Sequence, residues 1–524
     1  MTRVSGASSS GAIFGRLALV ALMPMAGAAW ASAASSAHIE DAARASFPEY
    51  FELLALPNDA VVAADARINA DWLERAFARR GFVTRQLAND GRPLLFAEYP
   101  KAVAGAATVL FYMHFDGQPV LAEQWAQPSP WSPVVKRRDA GGEWAVVATG
   151  TLQARPIDPE LRVFARAAAD DKGPIMMFLA AFDAMKADGV EPAINVKVLL
   201  DSEEEKGSPG IAAVAQANAE LLRADGLVIH DGPVHESNRP TLVFGNRGVS
   251  TVTLTVYGPK KPLHSGHYGN YVPNPAQRLA RLLASMKDDD GRVTVAGYYD
   301  TVKLSAEERA ILAAVGDDEE AMRKRLGIAR ADAVGGNYQE ALQYPSLNIR
   351  GMQSAAVADK AANIVPHTAI AELDLRTTPE AGPDYLTGLL RKHILAQGWH
   401  IVAGEPTDAE RAAHDKILSM VVSEGSQAAR TPMDAPLGEW VHGVLRETHG
   451  DAADMQPVRI RMMGGSVPTD KLVDALKLPF VIVPLVNADN NQHSFDENLR
   501  IGHYVDGMRT LTGLLRTPYR NPAP

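Results

Sequence analysis

The run VLFYMHFD at residues 109–116 is almost unbroken by polar side chains until it ends in a histidine and an aspartate. Apolar runs of this length are typical of strands that are buried on both faces of a largely parallel sheet. Three further runs also end in acidic or histidine residues: NVKVLLDSEEEKGS at 195–208, LVIHDG at 227–232 and PFVIVPLVNADNNQHSF at 479–495. Together the four runs predict an α/β fold with a mostly parallel mixed sheet flanked by helices.

Polar side chains from all four runs are predicted to meet at one edge of this sheet. Open α/β sheets bind their ligands in the crevice at the carboxyl ends of the strands. The side chains expected there are those of His114, Glu204, Glu205, Asp231 and His493. Histidine nitrogens and carboxylate oxygens suit zinc, and also cobalt or manganese, so we expect a metal site. The chain has no cysteine, which excludes thiolate ligands and disulfide bonds.

The number of these ligands bears on how many metal ions they could hold. Five ligands cannot give each of two ions three protein ligands unless one carboxylate is shared. Asp170, in a loop just before a predicted helix, is the natural bridge. Glu204 or Glu205 could then act as the base that takes a proton from water. Asp116 points the same way as His114 from its strand, so we expect it to orient the imidazole.

The pattern of apolar and polar residues changes after Asp231. The segment TLVFGNRGVSTVTLTVYG at 241–258 alternates apolar and polar residues, as half-buried antiparallel strands do. HTAIAELDLRTTP at 367–379 is a further strand of this type. We therefore predict a smaller α+β domain inserted into a discontinuous catalytic domain. The predicted bounds are 245–378 for the inserted domain, and 34–244 with 379–524 for the catalytic domain.

The amino terminus and the net charge indicate where the protein acts and on what. Arg3 and Arg16 precede an apolar stretch at 17–30, and the Ala-Ser-Ala at 31–33 has the form of a signal-peptidase site. We expect residues 1–33 to be removed as a signal peptide, leaving an exported protein, periplasmic or secreted, without a membrane anchor. The 62 acidic and 52 basic residues give a formal charge of −10, which disfavours nucleic acid and anionic membranes as partners and favours small solutes.

These segments resemble the zinc exopeptidases and amidohydrolases that include carnosinase, cytosolic dipeptidase, carboxypeptidase G and aminoacylase. The resemblance extends over nearly the whole chain after the signal peptide. The similar segments are HFDGQP at 114–119 to H-x-D ending in proline, ARAAADDKGP at 165–174 to G-R-G-x-x-D-D-K-G-P, EEKGS at 204–208 to E-E-x-G-S, and QHSFDE at 492–497 to H-S-x-N-E. Ala165 and Ala167 replace two glycines of the family's pattern, and Asp496 replaces its asparagine.

The resemblance implies two zinc ions per subunit, with one shared ligand. The implied ligands are His114 and Asp231 for one ion, Glu205 and His493 for the other, and Asp170 as the bridge. Glu204 is then implied to be the general base, and Asp116 the residue that orients His114.

The resemblance also implies residues that contact the substrate. PLHSG at 262–266 resembles D-L-H-S-G, whose histidine reaches a partner subunit's site in dimeric members, so His264 would stabilise the oxyanion. GGSVP at 464–468 is similar to G-G-S-I-P, and Arg376 stands where carnosinase-like members have an arginine. Gly465, Ser466 and Arg376 are thus implied to bind the terminal carboxylate of the substrate. The inserted domain is implied to act as a lid and to form a homodimer.

The function predicted from the sequence is that of an exported zinc metallopeptidase. It would cleave a small peptide beside a free carboxylate, as a dipeptidase or carboxypeptidase does, by means of a metal-activated water with Glu204 as general base. An amidohydrolase that deacylates N-acyl amino acids would use the same site. A periplasmic binding protein without turnover is a more remote alternative, and Glu204 argues against it because binding alone requires no base.

Overall fold

A computed structural model describes residues 36–423, 425–450, 455–465 and 469–520 of the chain. The predicted signal peptide at 1–33 and Ser466 lie outside these residues. Within the described ranges, no helix is both long enough and apolar enough to cross a membrane.

An eight-stranded mixed sheet forms the centre of the larger part of the molecule. Its strands are, in spatial order, β1 (Val83–Leu87), β2 (Leu94–Glu98), β7 (Asn195–Asp201), β3 (Thr108–His114), β8 (Gly226–Ile229), β20 (Phe480–Ile482), β9 (Thr241–Val243) and β19 (Val458–Ile460). The inner strands from β7 to β20 are parallel to one another. Strands β1 and β2 run antiparallel at one edge. The predicted mostly parallel mixed sheet is confirmed.

Strand β3 shows why the apolar runs are so continuous. Val109, Phe111 and Met113 lie in one hydrophobic core, whereas Leu110 and Tyr112 lie in another. All five are fully buried, and each buried large apolar side chain contributes about 1.5–3 kcal/mol. Both faces of the sheet are therefore covered.

Helices cover the two faces unequally. The first core includes residues of α1 (Ser36–Leu54), α2 (Ala63–Arg79), α3 (Lys172–Ala187), α13 (Pro436–His449) and α15 (Ile501–Arg516). The second core includes residues of α4 (Ile211–Ala217), α5 (Ala219–Leu222) and α14 (Thr469–Leu476).

A second, five-stranded sheet belongs to the inserted unit. Its strands are, in spatial order, β13 (Ser346–Gln353), β15 (Thr368–Thr377), β11 (Gly248–Tyr257), β17 (Ile417–Ser423) and β16 (His400–Val402). Buried and half-buried residues alternate along β11 and β15, so the sheet has one covered face. The helices of this unit are α6 (Ser265–Tyr268), α7 (Pro275–Ala284), α8 (Ala306–Ala314), α9 (Glu319–Leu326), α10 (Tyr338–Ala341), α11 (Pro383–Ala396) and α12 (Asp408–Ala413). Helices α7 and α11 pack on the covered face.

The predicted end of the insert at residue 378 is wrong. Helix α11 and strands β16 and β17 follow that residue, yet β17 pairs with β11 in the middle of the second sheet. The apolar pattern of a strand does not reveal which sheet it joins, and here pairing with β11 decides. The chain enters the insert through β10 (Gly245–Asn246) and returns through β18 (Ala429–Arg430), and these two strands pair with each other.

Two smaller sheets complete the fold. A four-stranded sheet has the order β21 (Asn498–Arg500), β6 (Arg162–Phe164), β4 (Val134–Arg138) and β5 (Trp144–Val147). In the insert, β12 (Leu263–His264) pairs with β14 (Ile364–Val365). The pairing of β21 with β6 brings the segment after His493 beside the segment before Asp170.

Candidate metal centre

The parallel register of three central strands brings polar side chains to one edge of the sheet. His114, the last residue of β3, lies opposite Asp201, the last residue of β7. A short 3-10 turn at Glu204–Lys206 follows β7, and Asp231 follows the end of β8 by two residues. The side chains that the sequence predicted to meet at this edge therefore do lie near one another.

The predicted ligands and Glu204 form two groups. One group contains His114, Glu204 and Asp231, and the other contains Asp170, Glu205 and His493. Within each group, the atoms that could bind a metal all lie within 4.8 Å of one another. Each group therefore has the dimensions of a metal site with three protein ligands.

Asp170 joins the two groups. Its Oδ1 lies 2.9 Å from Nε2 of His114, and its Oδ2 lies 3.0 Å from Nε2 of His493. In the second group, His493 Nε2 also lies 3.2 Å from an oxygen of Glu205. One carboxylate thus faces both histidines, which is the geometry required of a bridging ligand.

Asp116 supports this arrangement through three contacts. Its Oδ1 lies 3.3 Å from Nδ1 of His114, on the side of the ring away from Asp170. Its two oxygens accept the backbone N–H groups of Glu204 and Glu205, each at 3.1 Å. Asp116 therefore contacts both the imidazole and the turn that carries the two glutamates, which is where a residue that orients His114 would lie.

Burial and crowding perturb the carboxyl groups of the centre. Burial raises the pKa of Asp231 to about 6 and that of Glu205 to about 8. Burial and the neighbouring Asp231 raise the pKa of Glu204 well above its usual value. Burial also acts to raise the pKa of Asp170, but its hydrogen bonds to the two histidines hold that pKa below its usual value. Burial at this centre therefore disfavours the charged form of three of its carboxyl groups.

The donor set fits a pair of divalent cations. The two groups together offer four carboxylates and two imidazoles. Two divalent cations would balance the four carboxylates, and the mixture of nitrogen and oxygen donors suits zinc, cobalt or manganese. The hydrogen bond to Asp170 raises the pKa of His493 to about 9, and a metal ion bound to this imidazole would have to displace its proton.

Two acidic residues near the centre were not predicted as site residues. Asp171 accepts the backbone N–H of His114 at 3.1 Å through its side chain. Glu497 accepts hydrogen bonds from the loop that carries Asp170. Both belong to motifs that were recognised, ADDKG and QHSFDE, but only the ligand positions of those motifs were used.

Neither group includes the residues predicted to contact the substrate. His264 is exposed on the insert, where its Nδ1 accepts the N–H of Gly266 at 3.1 Å and its ring lies 4.8 Å from that of His267. Arg376 lies on β15, with Nε 3.5 Å from an oxygen of Asp374. Gly465 ends the described segment 455–465. The roles of these residues stay predictions.

Comparison with known sequences gives a family match over most of the chain. The sequence pattern of peptidase family M20/M25/M40 matches residues 110–517. The Cys-Gly metallodipeptidase of Schizosaccharomyces pombe is 26% identical over 408 residues, which are 77% of this chain and 78% of the relative. The human Beta-Ala-His dipeptidase is 25% identical over 465 residues, which are 84% and 82% of the two chains.

Solved structures show the same fold. An M20 family metallo-carboxypeptidase from Sulfolobus solfataricus superimposes with a TM-score of 0.69 at 25% identity, covering 90% of this chain and 98% of that one. A di-peptidase from Saccharomyces cerevisiae superimposes with a TM-score of 0.66 at 21% identity, covering 94% and 100%.

Proposed function

The chain belongs to peptidase family M20/M25/M40, and we propose that it is a two-metal exopeptidase whose leading substrates are dipeptides. The observation that carries this proposal is the pair of three-residue groups that share the carboxylate of Asp170. The first group would hold one ion through His114 and Asp231, and the second would hold the other through Glu205 and His493. Zinc is the proposed metal, and cobalt or manganese would be accepted by the same donors.

Bound cations would supply one part of the chemistry and the protein the rest. A bound metal pair lowers the pKa of a water molecule and polarises the substrate carbonyl. Glu204 is proposed as the base that accepts the proton of the attacking water and passes it to the leaving amine. Its position supports this role, because Asp116 holds its backbone N–H and its carboxylate lies beside His114 and Asp231.

We assign the binding of the substrate to residues of the insert and of the segment GGSVP at 464–468. Arg376, Gly465 and Ser466 are proposed to bind the free carboxylate of the substrate, for which a guanidinium group is well suited. His264 is proposed to stabilise the oxyanion from a second copy of the chain, which makes the active form a homodimer. Its exposed position on the insert, outside both metal groups, supports a role across subunits.

The choice of dipeptides is supported by two relatives. One is a Cys-Gly metallodipeptidase and the other a Beta-Ala-His dipeptidase, and each is matched over more than three quarters of its length. A substrate panel of mixed dipeptides, carboxypeptidase substrates and N-acyl amino acids tests this choice. Preference for dipeptides would support the proposal, whereas preference for N-acyl amino acids would make the protein an amidohydrolase.

Neighbouring glutamates provide a matched test of the base. Glu204→Gln should lower kcat by about 10²- to 10⁴-fold while the metal content stays unchanged. Glu203→Gln is the control, since Glu203 contacts Asn89 at 2.8 Å and Lys206 at 2.9 Å and belongs to neither group. Equal activities of the two variants, or loss of metal from Glu204→Gln, would contradict the assigned role.

Export is a separate proposal. It is supported by the two arginines, the apolar stretch and the Ala-Ser-Ala sequence within residues 1–33. Expression of the full chain in a Gram-negative host, followed by fractionation and amino-terminal sequencing, should give a periplasmic protein that begins near residue 34. A cytoplasmic protein that keeps residues 1–33 would contradict the proposal.

A further inference from the structure

Glu497 is a buried carboxylate whose hydrogen bonds are all directed at the loop that carries Asp170. Its side chain has no exposed surface. Oε1 accepts the backbone N–H groups of Ala169 and Asp170, both at 2.9 Å. Oε2 accepts the N–H of Ala167 at 2.9 Å and Nη1 of Arg166 at 2.8 Å. Each carboxylate oxygen therefore accepts two hydrogen bonds, and three of the four donors are backbone groups of one loop.

Arg166, the ionic partner of Glu497, also contacts the segment that follows His114. Its side chain is only 3% exposed, and its guanidinium carbon lies 5.3 Å from the ring centroid of Trp125. Its aliphatic part packs against Gly117, where an added Cβ would lie 3.1 Å from Cδ of Arg166. Gly117 directly follows Asp116, the residue that orients His114.

The backbone of Glu497 provides the third connection. Its carbonyl accepts the N–H of Ala165 at 3.2 Å, at the start of the loop that leads to Asp170. Along the chain, Glu497 stands only four residues after His493. The ion pair of Glu497 and Arg166 therefore contacts Gly117, which follows Asp116, and the loop at 165–170, and Glu497 itself belongs to the segment that follows His493.

We propose that Glu497 is a positioning residue of the metal centre, which holds Asp170 in its position between the two histidines. The inference rests on the proposed two-metal function. A buried ion pair is by itself weak evidence for stability, because desolvation offsets much of its attraction. The contribution of Glu497 lies instead in the hydrogen bonds that its carboxylate accepts. No hydrogen bond of a strand or helix satisfies the three backbone N–H groups that Glu497 binds.

Glu497→Gln is the substitution that tests this inference most sharply. Glutamine has the same shape, but one of its two terminal atoms is an NH₂ donor. In one amide orientation that donor faces the N–H groups of Ala169 and Asp170, and in the other it faces those of Ala167 and Arg166. Either orientation sets a donor against two donors, so the loop must move.

The readout is metal binding rather than activity. Metal-free protein is titrated with zinc by calorimetry, and with cobalt while the visible absorption of the cobalt is recorded. For Glu497→Gln we expect affinity for at least one of the two ions to fall by about 10- to 100-fold, as loss of an outer partner of metal ligands does, together with a changed cobalt spectrum. Glu497→Asp keeps both acceptor oxygens and should recover part of the loss.

A second ion pair in the same part of the molecule is the control. Glu49 accepts from Nη2 and Nη1 of Arg80 at 2.8 and 3.2 Å, and Arg80 is 7% exposed. Glu49→Gln should lower the Tm without changing zinc affinity or the cobalt spectrum, because neither residue contacts a ligand loop.

The outcomes separate this inference from the proposed function. If wild-type protein binds two ions and Glu497→Gln binds them with the same affinity and spectrum, the positioning role is wrong and the two-metal function stands. If wild-type protein binds no metal pair, the proposed function fails first. Should Glu497→Gln not fold, Arg166→Gln takes its place, because it removes the ionic partner of Glu497, and wild-type zinc affinity with an unchanged cobalt spectrum in that variant would equally overturn the inference.

Discussion

The metal centre and the substrate-facing residues of the insert are held in different ways. His114 is fully buried and Asp170 is 4% exposed, and both are contacted from several segments of the same chain. His264 is exposed, and its contacts are local ones with Gly266 and His267. The candidate metal centre is therefore preorganised within one chain, whereas the proposed substrate side would be completed by a substrate or by a second copy.

Removing the shared carboxylate of Asp170 should have the largest effect on metal binding and turnover. Asp170→Asn takes one negative ligand from both groups, so we expect zinc content to fall from two ions to one or none per chain. Turnover should fall by about 10⁴-fold or more, since each metal ion supplies several kcal/mol of transition-state stabilisation. Elemental analysis and dipeptide hydrolysis measure the two effects. Asp183→Asn, on α3 and paired with Arg80, is the control and should keep both ions.

Exchange of subunits tests whether the substrate side is completed by a second copy. His264→Ala should lower kcat by about 10²- to 10³-fold, as loss of one oxyanion donor does, with metal content unchanged. When this variant is mixed with Glu204→Gln under conditions that exchange subunits, about a quarter of the wild-type activity should return, because each mixed dimer has one complete site. No recovery despite demonstrated exchange would place His264 in its own subunit's site or outside catalysis.

A smaller effect is expected at Arg376, the arginine proposed to bind the substrate carboxylate. Arg376→Lys keeps the charge but loses the planar two-pronged donor, so KM for a dipeptide should rise by about tenfold. Because Arg376 lies on β15 of the insert, the metal content and the Tm should stay near their wild-type values. Steady-state kinetics on a dipeptide and on its amide, which lacks the free carboxylate, measure the change. An equal effect on both substrates would exclude a carboxylate contact.

The smallest effect we predict is a pH dependence of stabilisation by zinc. In the metal-free folded chain the pKa of Asp231 is raised to about 6 and that of Glu205 to about 8, so between about pH 4 and 8 this state holds protons that the unfolded chain has released. The contribution of these two groups to the stability of the metal-free state therefore falls as the pH rises through that window. Zinc replaces the same protons, so the increase in Tm caused by zinc should grow by a few degrees from about pH 5.5 to about pH 8. Thermal scans with and without zinc measure it, and an increase that shrinks with pH would contradict the ligand assignment.

The sequence was most informative where a ligand directly follows a buried strand. His114 ends β3 and Asp231 comes two residues after β8, so the apolar runs alone located them at one edge of the sheet. Glu205 and His493 follow two other apolar runs and were placed at the same edge by the same argument, whereas Asp170, just before α3, was chosen as the bridge by counting ligands. The structure brings all five together, because the loops are tied to one another by Asp116 and Glu497.

Features that depend on pairing over long sequence separations could not be predicted. The strand at Ile417–Ser423 joins the inserted sheet only because β11 offers it an edge, about 165 residues earlier in the chain. Likewise, the role of Glu497 depends on backbone donors at 167–170, and no local pattern around Glu497 indicates them. Both results follow from tertiary contacts rather than from propensity or periodicity.

The central claim is that one chain holds two metal ions through a shared Asp170. The most direct measurement is dipeptide hydrolysis by metal-free protein as zinc is added in known ratios, with bound zinc measured in the same samples. We expect binding that saturates at two ions per chain, with activity that reaches its plateau there and is removed by a chelator. Saturation at a single ion, or turnover that persists without metal, would contradict it.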